Sequence, residues 1–88
     1  MITGTNRLRP GTKAAFDCHV TESTRLRAQV FDAQGEEVRP LLDMTVEPGI
    51  VPVVWDGADS HGNRVDPGVY FLILELHGER ITNKILVD

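Results

Sequence analysis

The stretch from Trp55 to Phe71, WDGADSHGNRVDPGVYF, places the three residue types of a hydrolase side by side: Asp59, Ser60 and His61. In a Ser-His-Asp site the base takes the hydroxyl proton while the acid orients the base, so the three side chains must converge. Side chains of adjacent residues in an extended or turning segment diverge instead. Ser60 also lacks the GxSxG strand-turn-helix context that exposes an esterase serine. We therefore expect no catalytic residue in this stretch.

Calcium is the stronger chemical alternative, because four oxygen-bearing residues fall within eleven positions: Asp56, Asp59, Asn63 and Asp66. An EF-hand loop needs glycine at its sixth position and glutamate at its twelfth. Counted from Asp59, those positions hold Arg64 and Tyr70. The stretch is not an EF-hand, and these four residues stay as weak candidates for a calcium site of another kind.

A zinc site is less favoured by the spacing of its usual ligands. His19, His61 and His77 lie far apart, with no HxH or HExxH pattern, and Cys18 is the single cysteine. Structural zinc sites need several such ligands at short spacing. We expect surface histidines, and a buried, unreactive thiol within the alternating strand AAFDCHV.

A structural interpretation of the stretch accounts for more of its residues. Asp56 is expected to accept backbone N-H groups, Gly57 and Gly62 to supply backbone conformations that other residues avoid, and Gly62-Asn63 to reverse the chain. Pro67 and Gly68 predict a type II turn. Trp55 and Tyr70 would anchor both ends in the core. The predicted structural signature comprises Trp55, Asp56, Gly57, Asp59, Gly62, Asn63, Pro67, Gly68 and Tyr70.

The elements that carry these residues have strand periodicity nearly throughout. AAFDCHV and TRLRAQVFD alternate apolar and polar residues, and the turn Ala33 to Glu36 predicts a hairpin with EEVRPLL. Pro40 indicates that this second strand lies at a sheet edge or ends there. We expect a loop over residues 39–49, then strands at IVPVVW, VYFLILEL and RITNKILVD. The run VYFLILEL is expected to be central, with both faces covered.

This pattern predicts an all-β fold, an antiparallel immunoglobulin or fibronectin type III-like β-sandwich of about seven strands. The 88 residues are 41% hydrophobic and 25% charged, as in ordinary globular domains. No apolar run approaches the ~20 residues of a membrane span, and the first residues do not form a signal peptide. The chain is therefore expected to be cytoplasmic or part of something larger.

The charge distribution argues against a nucleic-acid partner. Residues 1–27 carry five basic and two acidic groups, whereas residues 28–88 carry four basic and eleven acidic groups, giving a net charge of −4. Binding to a phosphate backbone normally requires a whole basic face. Nothing in the sequence calls for a cofactor.

The stretch WDGADSHGNRVDPGVYF resembles the signature of the FlgD immunoglobulin-like domain family. NRLRPGTKAAFDC is similar to the family's first strand, LRAQVFDAQGEEVRPLL to its hairpin, and ITNKILVD to its last strand. The resemblance implies an N-terminal arm or linker at residues 1–10 and one β-sandwich domain at 11–88. A four-residue turn follows Leu76, where a flagellar hook-capping protein carries an inserted domain, so a role in flagellar assembly is not expected.

The same resemblance implies a non-catalytic accessory domain of an exported bacterial protein, at the cell surface or outside the cell. It would act as a structural, surface-attachment, protein-interaction or secretion module, with protein partners and with strand addition at a sheet edge as one binding mode. One alternative is a C-terminal sorting domain of the related type IX secretion family. The other is a carbohydrate-binding module, for which Phe31 is the candidate platform because Trp55, Tyr70, Phe16 and Phe71 are assigned to the core.

Overall fold

The computed structural model of the chain describes residues 2–4 and 6–88 as two packed β-sheets. In chain order the strands are β1 (Ile2–Gly4), β2 (Arg7–Leu8), β3 (Ala14–Val20), β4 (Thr24–Asp32), β5 (Glu37–Val46), β6 (Gly49–Trp55), β7 (Gly68–Leu76) and β8 (Glu79–Val87). The described residues contain no helix. The all-β prediction is confirmed, with six long strands and two short ones.

One sheet has the strand order β1-β3-β6, and the other has the order β2-β8-β7-β4-β5. All strand pairs are antiparallel except β2 and β8, which are parallel. Alternate residues of β3, β4, β7 and β8 face inward, as period-two sequences require. The buried core lies between the sheets and consists of Leu8, Ala14, Phe16, Cys18, Val20, Leu26, Ala28, Val30, Val46, Val53, Trp55, Tyr70, Leu72, Leu74, Leu76, Ile85 and Val87.

Strand β7 is the middle strand of the larger sheet, as its apolar sequence predicted. Its two faces are unequal: Leu72 and Leu74 are fully buried, whereas Phe71 and Ile73 on the other face are only half-buried. The prediction that both faces are covered is therefore wrong. The assignment of Phe71 to the core is wrong for the same reason, because no second layer covers the outer face of the larger sheet in the described structure.

The loop predicted at residues 39–49 is also wrong. Strand β5 continues to Val46, and β6 begins at Gly49. Pro40 is compatible with this strand because β5 is the edge of its sheet, where one row of N-H groups faces away from the neighbouring strand. Irregular register between β4 and β5 follows Ala28 and Val30. These bulges disturb the alternation, so the sequence indicates the start of β5 at EEVRPLL but not its continuation to Val46.

The hairpin turn between β4 and β5 is held by one carboxylate. Asp32 Oδ1 accepts the N-H of Gln34 at 2.9 Å and the N-H of Glu36 at 2.9 Å. The backbone N-H of Asp32 donates to Glu36 O at 2.9 Å, and the N-H of Gly35 donates to Asp32 O at 3.1 Å. Gly35 has a φ of 86°. The predicted turn is thus an aspartate-centred loop whose polar groups bond to one another.

Residues 1–10, expected to form an arm or linker, contribute strands to both sheets. β1 pairs with β3, and β2 pairs with β8. The side chain of Leu8 is fully buried. Met1 and Thr5 lie outside the described residues.

Candidate functional site

The loop from Asp56 to Pro67 joins β6 to β7, and its two ends are fixed by aromatic residues. Trp55 is 1% exposed, and its Nε1-H donates to Ala58 O at 2.9 Å. The Tyr70 hydroxyl donates to Asp66 O at 2.7 Å. The two rings lie 5.5 Å apart between centroids with an interplanar angle of 59°, a tilted contact that bridges the two sheets. Burial raises the pKa of Tyr70, and the carboxylates of Asp66 and Asp32 add to that effect.

The first turn of the loop is stabilised by Asp56. Its Oδ1 accepts the N-H of Ala58 at 3.0 Å. Gly57 follows with a φ of 82°, and a Cβ at this position would lie 3.1 Å from Leu8 Cδ2. The loop therefore packs directly on β2, and a Cβ at Gly57 would crowd the side chain of Leu8.

The second turn is centred on Asp59. Its Oδ1 accepts the N-H of His61 at 2.9 Å and the N-H of Asn63 at 3.0 Å. The N-H of Asp59 donates to Asn63 O at 2.8 Å, and the N-H of Gly62 donates to Asp59 O at 3.1 Å. The hydrogen bond from the backbone of Asn63, followed by that from His61, holds the pKa of the Asp59 carboxyl below its usual range.

Ser60 and His61 do not form a catalytic relay with Asp59. The Ser60 hydroxyl donates to Val38 O at 3.2 Å, and the Ser60 N-H donates to the same oxygen at 3.1 Å. The acceptor oxygen of Asp59 serves backbone N-H groups rather than an imidazole. His61 is exposed. Ser60 therefore docks the loop onto β5, and its hydroxyl is directed to a carbonyl instead of a base.

Two of the four calcium candidates bond to backbone N-H groups through their carboxylates, and Asn63 takes part through its own N-H. Asp56 and Asp59 accept N-H groups of their own turns. Asp66 takes part in the Tyr70 contact through its carbonyl. Over residues 2–4 and 6–88, no group of three His, Cys, Asp or Glu side chains is close enough to hold a metal ion.

The zinc candidates are spread over three parts of the fold. Cys18 is buried on the inner face of β3, and burial raises the pKa of its thiol. His19 is the next residue and faces the opposite side, whereas His77 lies in the turn between β7 and β8. The raised thiol pKa disfavours the thiolate that a metal or an electrophile would need.

Sequence reasoning missed Arg39, which fastens the loop from the neighbouring strand. Its Nη1 donates to Ala58 O at 3.4 Å and to Asp59 O at 3.3 Å, and lies 3.6 Å from Asp56 Oδ1. Arg39 pairs with the inward-facing Val30 in the β4–β5 register. The sequence did not predict this role because residues 39–49 were expected to form a loop. In a loop, the direction of the Arg39 side chain does not follow from strand periodicity.

The type II turn predicted at Pro67-Gly68 is wrong. Gly68 has a φ of 153°, whereas the third residue of a type II turn has a φ near +80°. Gly68 is already the first residue of β7 and pairs with Val87. The glycine begins a strand here instead of closing a turn.

The sequence model of the FlgD Ig-like domain family matches residues 4–76, which include the first seven strands apart from the start of β1. The chain belongs to the FlgD Ig-like domain family. The matched residues include the loop from Asp56 to Pro67 and its two anchors, Trp55 and Tyr70. The match confirms the family resemblance on which the prediction of an Ig-like fold rests. The FlgD Ig-like domain is a non-enzymatic fold family.

The solved structures that share the fold include the following three. FlgD from P. aeruginosa is 23% identical, with a TM-score of 0.67 over 97% of this chain and 70% of that chain. The CARDB domain of a Pyrococcus furiosus protein, crystallised in complex with di-metal ions, is 14% identical, with a TM-score of 0.61 over 99% of this chain and 84% of that chain. Pseudomonas fluorescens alkylpurine DNA glycosylase AlkC, bound to DNA containing an abasic site analog, is 14% identical, with a TM-score of 0.54 over 98% of this chain and 28% of that chain.

No curated protein sequence matches the chain. Among the described residues, no helix has both the length and the apolar character needed to cross a membrane. The three solved structures show that the fold is shared. The match to the family model shows the relation in sequence.

Proposed function

We propose that this chain is a non-catalytic accessory domain of an exported bacterial protein, where it acts as a structural and protein-interaction module. The observation that carries the proposal is the use of the loop's polar groups. Asp56, Asp59 and Ser60 all bond to backbone groups that hold the loop in place. The signature residues therefore stabilise the fold. We assign the contacts with other proteins to exposed side chains elsewhere on the domain.

The proposed location is the cell surface or the extracellular space, and it is tested in the bacterium that encodes the chain. Intact cells are treated with a protease, and the domain is followed with an antibody raised against residues 1–88. Digestion of the domain while a cytoplasmic marker stays intact is the expected result. Recovery of the domain only with the cytoplasmic marker would contradict the proposal.

The outer face of the smaller sheet is the surface we assign to a protein neighbour. Ile50 is 62% exposed and Val54 is 46% exposed, and Pro52 lies between them on the same face. Ala15 is the strand partner of Val54, and the polar Asp17 and His19 are the partners of Pro52 and Ile50 on the same face. Side chains of this kind, grouped on one side of a sheet, are typical of a contact surface. The neighbour would be another domain of the parent protein or a cell-envelope protein.

Strand addition at the nearby sheet edges is opposed by the sequence of those edges. β5 carries Pro40 and two register irregularities, and β6 carries Pro52. Proline and bulges on edge strands limit pairing with another chain. We therefore place the partner contact on the side chains of the outer face.

Site-specific photo-cross-linking in the parent protein tests this surface. A photoreactive amino acid at Ile50 or Val54 is expected to yield one discrete cross-linked product, and the same group at Glu79 in the β7–β8 region is the control. Products of equal yield from all three positions would indicate random collisions. Absence of any product from Ile50 and Val54 would leave the domain as a spacer.

A secretion role of the type IX kind is a narrower form of the proposal and rests on the resemblance of the hairpin and the last strand. Residues 1–88 fused to a reporter would leave the cell of a host that has this secretion system, and would stay inside when the system is deleted. Retention of the reporter in the periplasm of the intact host would reject this form alone.

A carbohydrate-binding function is favoured by one observation, the position of Phe71. Phe31 and Phe71 are direct strand partners on the outer face of the larger sheet. With Ile73 they line a groove of about 370 Å³ whose polar groups include Gln29 and Arg80. Apolar and aromatic walls with a few polar groups are the usual lining of a small-ligand site.

Affinity gel electrophoresis with soluble polysaccharides such as xylan and hydroxyethyl cellulose tests the groove. Retardation of the wild type that is lost in both Phe31→Ala and Phe71→Ala, but retained in Ile50→Ala on the other sheet, would support sugar binding. Equal migration of the wild type with and without each polysaccharide would contradict it.

A further inference from the structure

The second strand of the chain, β2, and the last strand, β8, are neighbours in the larger sheet. Arg7 lies opposite Leu86 and Leu8 lies opposite Val87 in a parallel register. The N-H of Leu86 donates to Asn6 O at 2.8 Å, and the N-H of Asp88 donates to Leu8 O at 2.9 Å. The chain thus enters β2 and leaves β8 along two bonded strands that run in the same direction.

This arrangement determines how the domain responds to a pull on residues before Asn6 and on Asp88. The pull moves β2 back toward its N-terminal side and β8 forward toward its C-terminal side, so the two strands must slide past each other. The hydrogen bonds between them are loaded together. In an antiparallel hairpin pulled at its open end, the bonds would break one pair at a time.

Two side-chain contacts oppose the same sliding motion. Arg7 Nε lies 3.0 Å from Asp88 Oδ2, which joins the first residue of β2 to the residue that follows β8. Leu8 is fully buried, and it lies against Gly57 of the Trp-Asp-Gly loop. Movement of β2 along its own axis would remove Leu8 from the core. Upstream, β1 pairs with β3 over Ile2 to Gly4 and adds a second bonded segment to the load path.

We propose that the β2–β8 pair is a mechanical clamp, through which the domain carries tension applied to its two ends without unfolding. The biological use of the clamp rests on the proposed function, because a module within a surface-attached protein transmits force between its neighbours. The clamp itself is a property of residues 1–88. It can be measured whether or not the domain is exported, so failure of the cell-surface experiment does not affect it.

The decisive measurement is single-molecule pulling on the 88-residue chain in two geometries. In the first, handles are attached at the two ends, and β2 slides along β8. In the second, handles are attached at Pro67→Cys and at the C-terminus, where Gly68 and Val87 are strand partners and the β7–β8 ladder opens from its end. The native Cys18 is buried and does not compete for the handle. We expect a several-fold higher unfolding force in the first geometry, and equal forces in both would overturn the proposal.

Variants that remove one hydrogen-bond donor each locate the resistance within the clamp. Leu86→Pro removes the N-H bonded to Asn6 O, and Asp88→Pro removes the N-H bonded to Leu8 O. Leu86→Ala and Asp88→Ala keep these N-H groups and are the matched controls, since Asp88→Ala lacks the carboxylate contact with Arg7 just as Asp88→Pro does. Under an end-to-end load, each proline variant is expected to unfold about tenfold faster than its control, because forced unfolding follows the barrier that these bonds raise.

Unfolding without load separates a clamp from a general structural role. Stopped-flow unfolding rates of the proline variants, extrapolated to zero denaturant, are expected to differ from those of their controls by about threefold or less. If a proline variant accelerates unfolding equally with and without load, the β2–β8 pair is only structural and the proposal is wrong. Asp88→Pro provides this test even if Leu86→Pro does not fold, since residue 88 follows the last strand.

Discussion

The turn at residues 32–36 and the turn at residues 59–63 have the same pattern, with aspartate first and glycine fourth: DAQGE and DSHGN. In both, one carboxylate oxygen accepts the N-H groups two and four residues later, and the glycine has a φ of 86° or 83°. The first turn has Ala33 and Gln34 where the second has Ser60 and His61. Since the first turn keeps the same geometry with residues of no catalytic chemistry, the row Asp-Ser-His is explained by its aspartate and glycine.

The two turns differ in how they are attached to the rest of the molecule. The turn at 32–36 closes a hairpin between two strands that pair along their length. The turn at 59–63 stands in a long connection and is fastened by Trp55, Arg39 and Ser60. The same local sequence therefore needs external anchors in one place and none in the other, because only the second turn lacks a continuous ladder on both sides.

Replacement of the anchor residue Trp55 by alanine should give the largest difference in stability between the surroundings of the two turns. Trp55→Ala is expected to cost about 3–5 kcal/mol from lost burial and a cavity, a large part of the ~5–15 kcal/mol that stabilises a typical domain. Phe31→Ala, which removes a half-buried ring beside the first turn, is the comparison and should cost clearly less. Urea unfolding followed by far-UV circular dichroism measures both. A loss below about 1 kcal/mol for Trp55→Ala would mean that the loop does not need its anchor.

Removal of either turn aspartate should lower the melting temperature by several degrees at pH 7, more than any other change within the turns. Asp32→Ala and Asp59→Ala each leave two backbone N-H groups without their acceptor. Calorimetry of both variants beside the wild type gives the comparison. A large effect at one aspartate and none at the other would show that the two turns are alike only in geometry.

The contribution of Asp59 to the stability of the fold should be larger at neutral pH than in acid. The folded pKa of Asp59 lies below its ordinary value of 3.8, so the stabilisation is fully present above about pH 5 and is lost as the pH falls below about 4. The difference in melting temperature between the wild type and Asp59→Ala should therefore shrink on acidification. A difference that stays constant down to pH 2.5 would contradict the charged hydrogen bonds described for this carboxylate.

The two turn glycines should be equally sensitive to a side chain. A Cβ at Gly35 or Gly62 would meet nothing within 4 Å, so the cost arises from the left-handed backbone alone. We expect about 1–2 kcal/mol for Gly35→Ala and for Gly62→Ala. Asparagine visits this region more readily than alanine. Gly35→Asn and Gly62→Asn should therefore cost less, and an unequal pair of alanine values would show different backbone strain in the two turns.

Conversion of the second turn into the first should have the smallest effect. The double variant Ser60→Ala/His61→Gln gives the second turn the sequence DAQGN. Loss of the Ser60 hydroxyl contact with Val38 O is expected to cost about 0.5–1.5 kcal/mol, because the Ser60 N-H still donates to that oxygen. His61→Gln alone should stay within ~0.5 kcal/mol. Urea titration of the single and double variants decides this, and a loss above 3 kcal/mol would assign the two residues a role that the first turn does not have.

The larger elements of the fold follow from sequence periodicity because most strands have one apolar and one polar face. The alternation in AAFDCHV and TRLRAQVFD predicts the inward faces of β3 and β4. β5 was not predictable in this way, since Pro40 and the bulges interrupt its alternation. The sequence of β7 is apolar on both faces, and so it does not reveal that Phe71 faces outward.

For the candidate site, the sequence predicted the turn residues but not their attachments. Aspartate and glycine at fixed spacing determine local hydrogen bonds, and these are visible in a single segment. The contacts of Arg39 and Ser60 join residues about twenty positions apart. Such contacts depend on the register of β5 against β4, which the sequence of either strand alone does not determine.

The tilted contact between Trp55 and Tyr70 has an optical consequence. The chain contains one tryptophan and one tyrosine, and they come from different sheets. At a centroid distance of 5.5 Å, light absorbed by the phenol is passed to the indole by resonance energy transfer. Tyrosine emission should therefore be dark in the intact sandwich and become visible when the two sheets separate. The intensity of tyrosine emission therefore reports whether the two sheets are in contact.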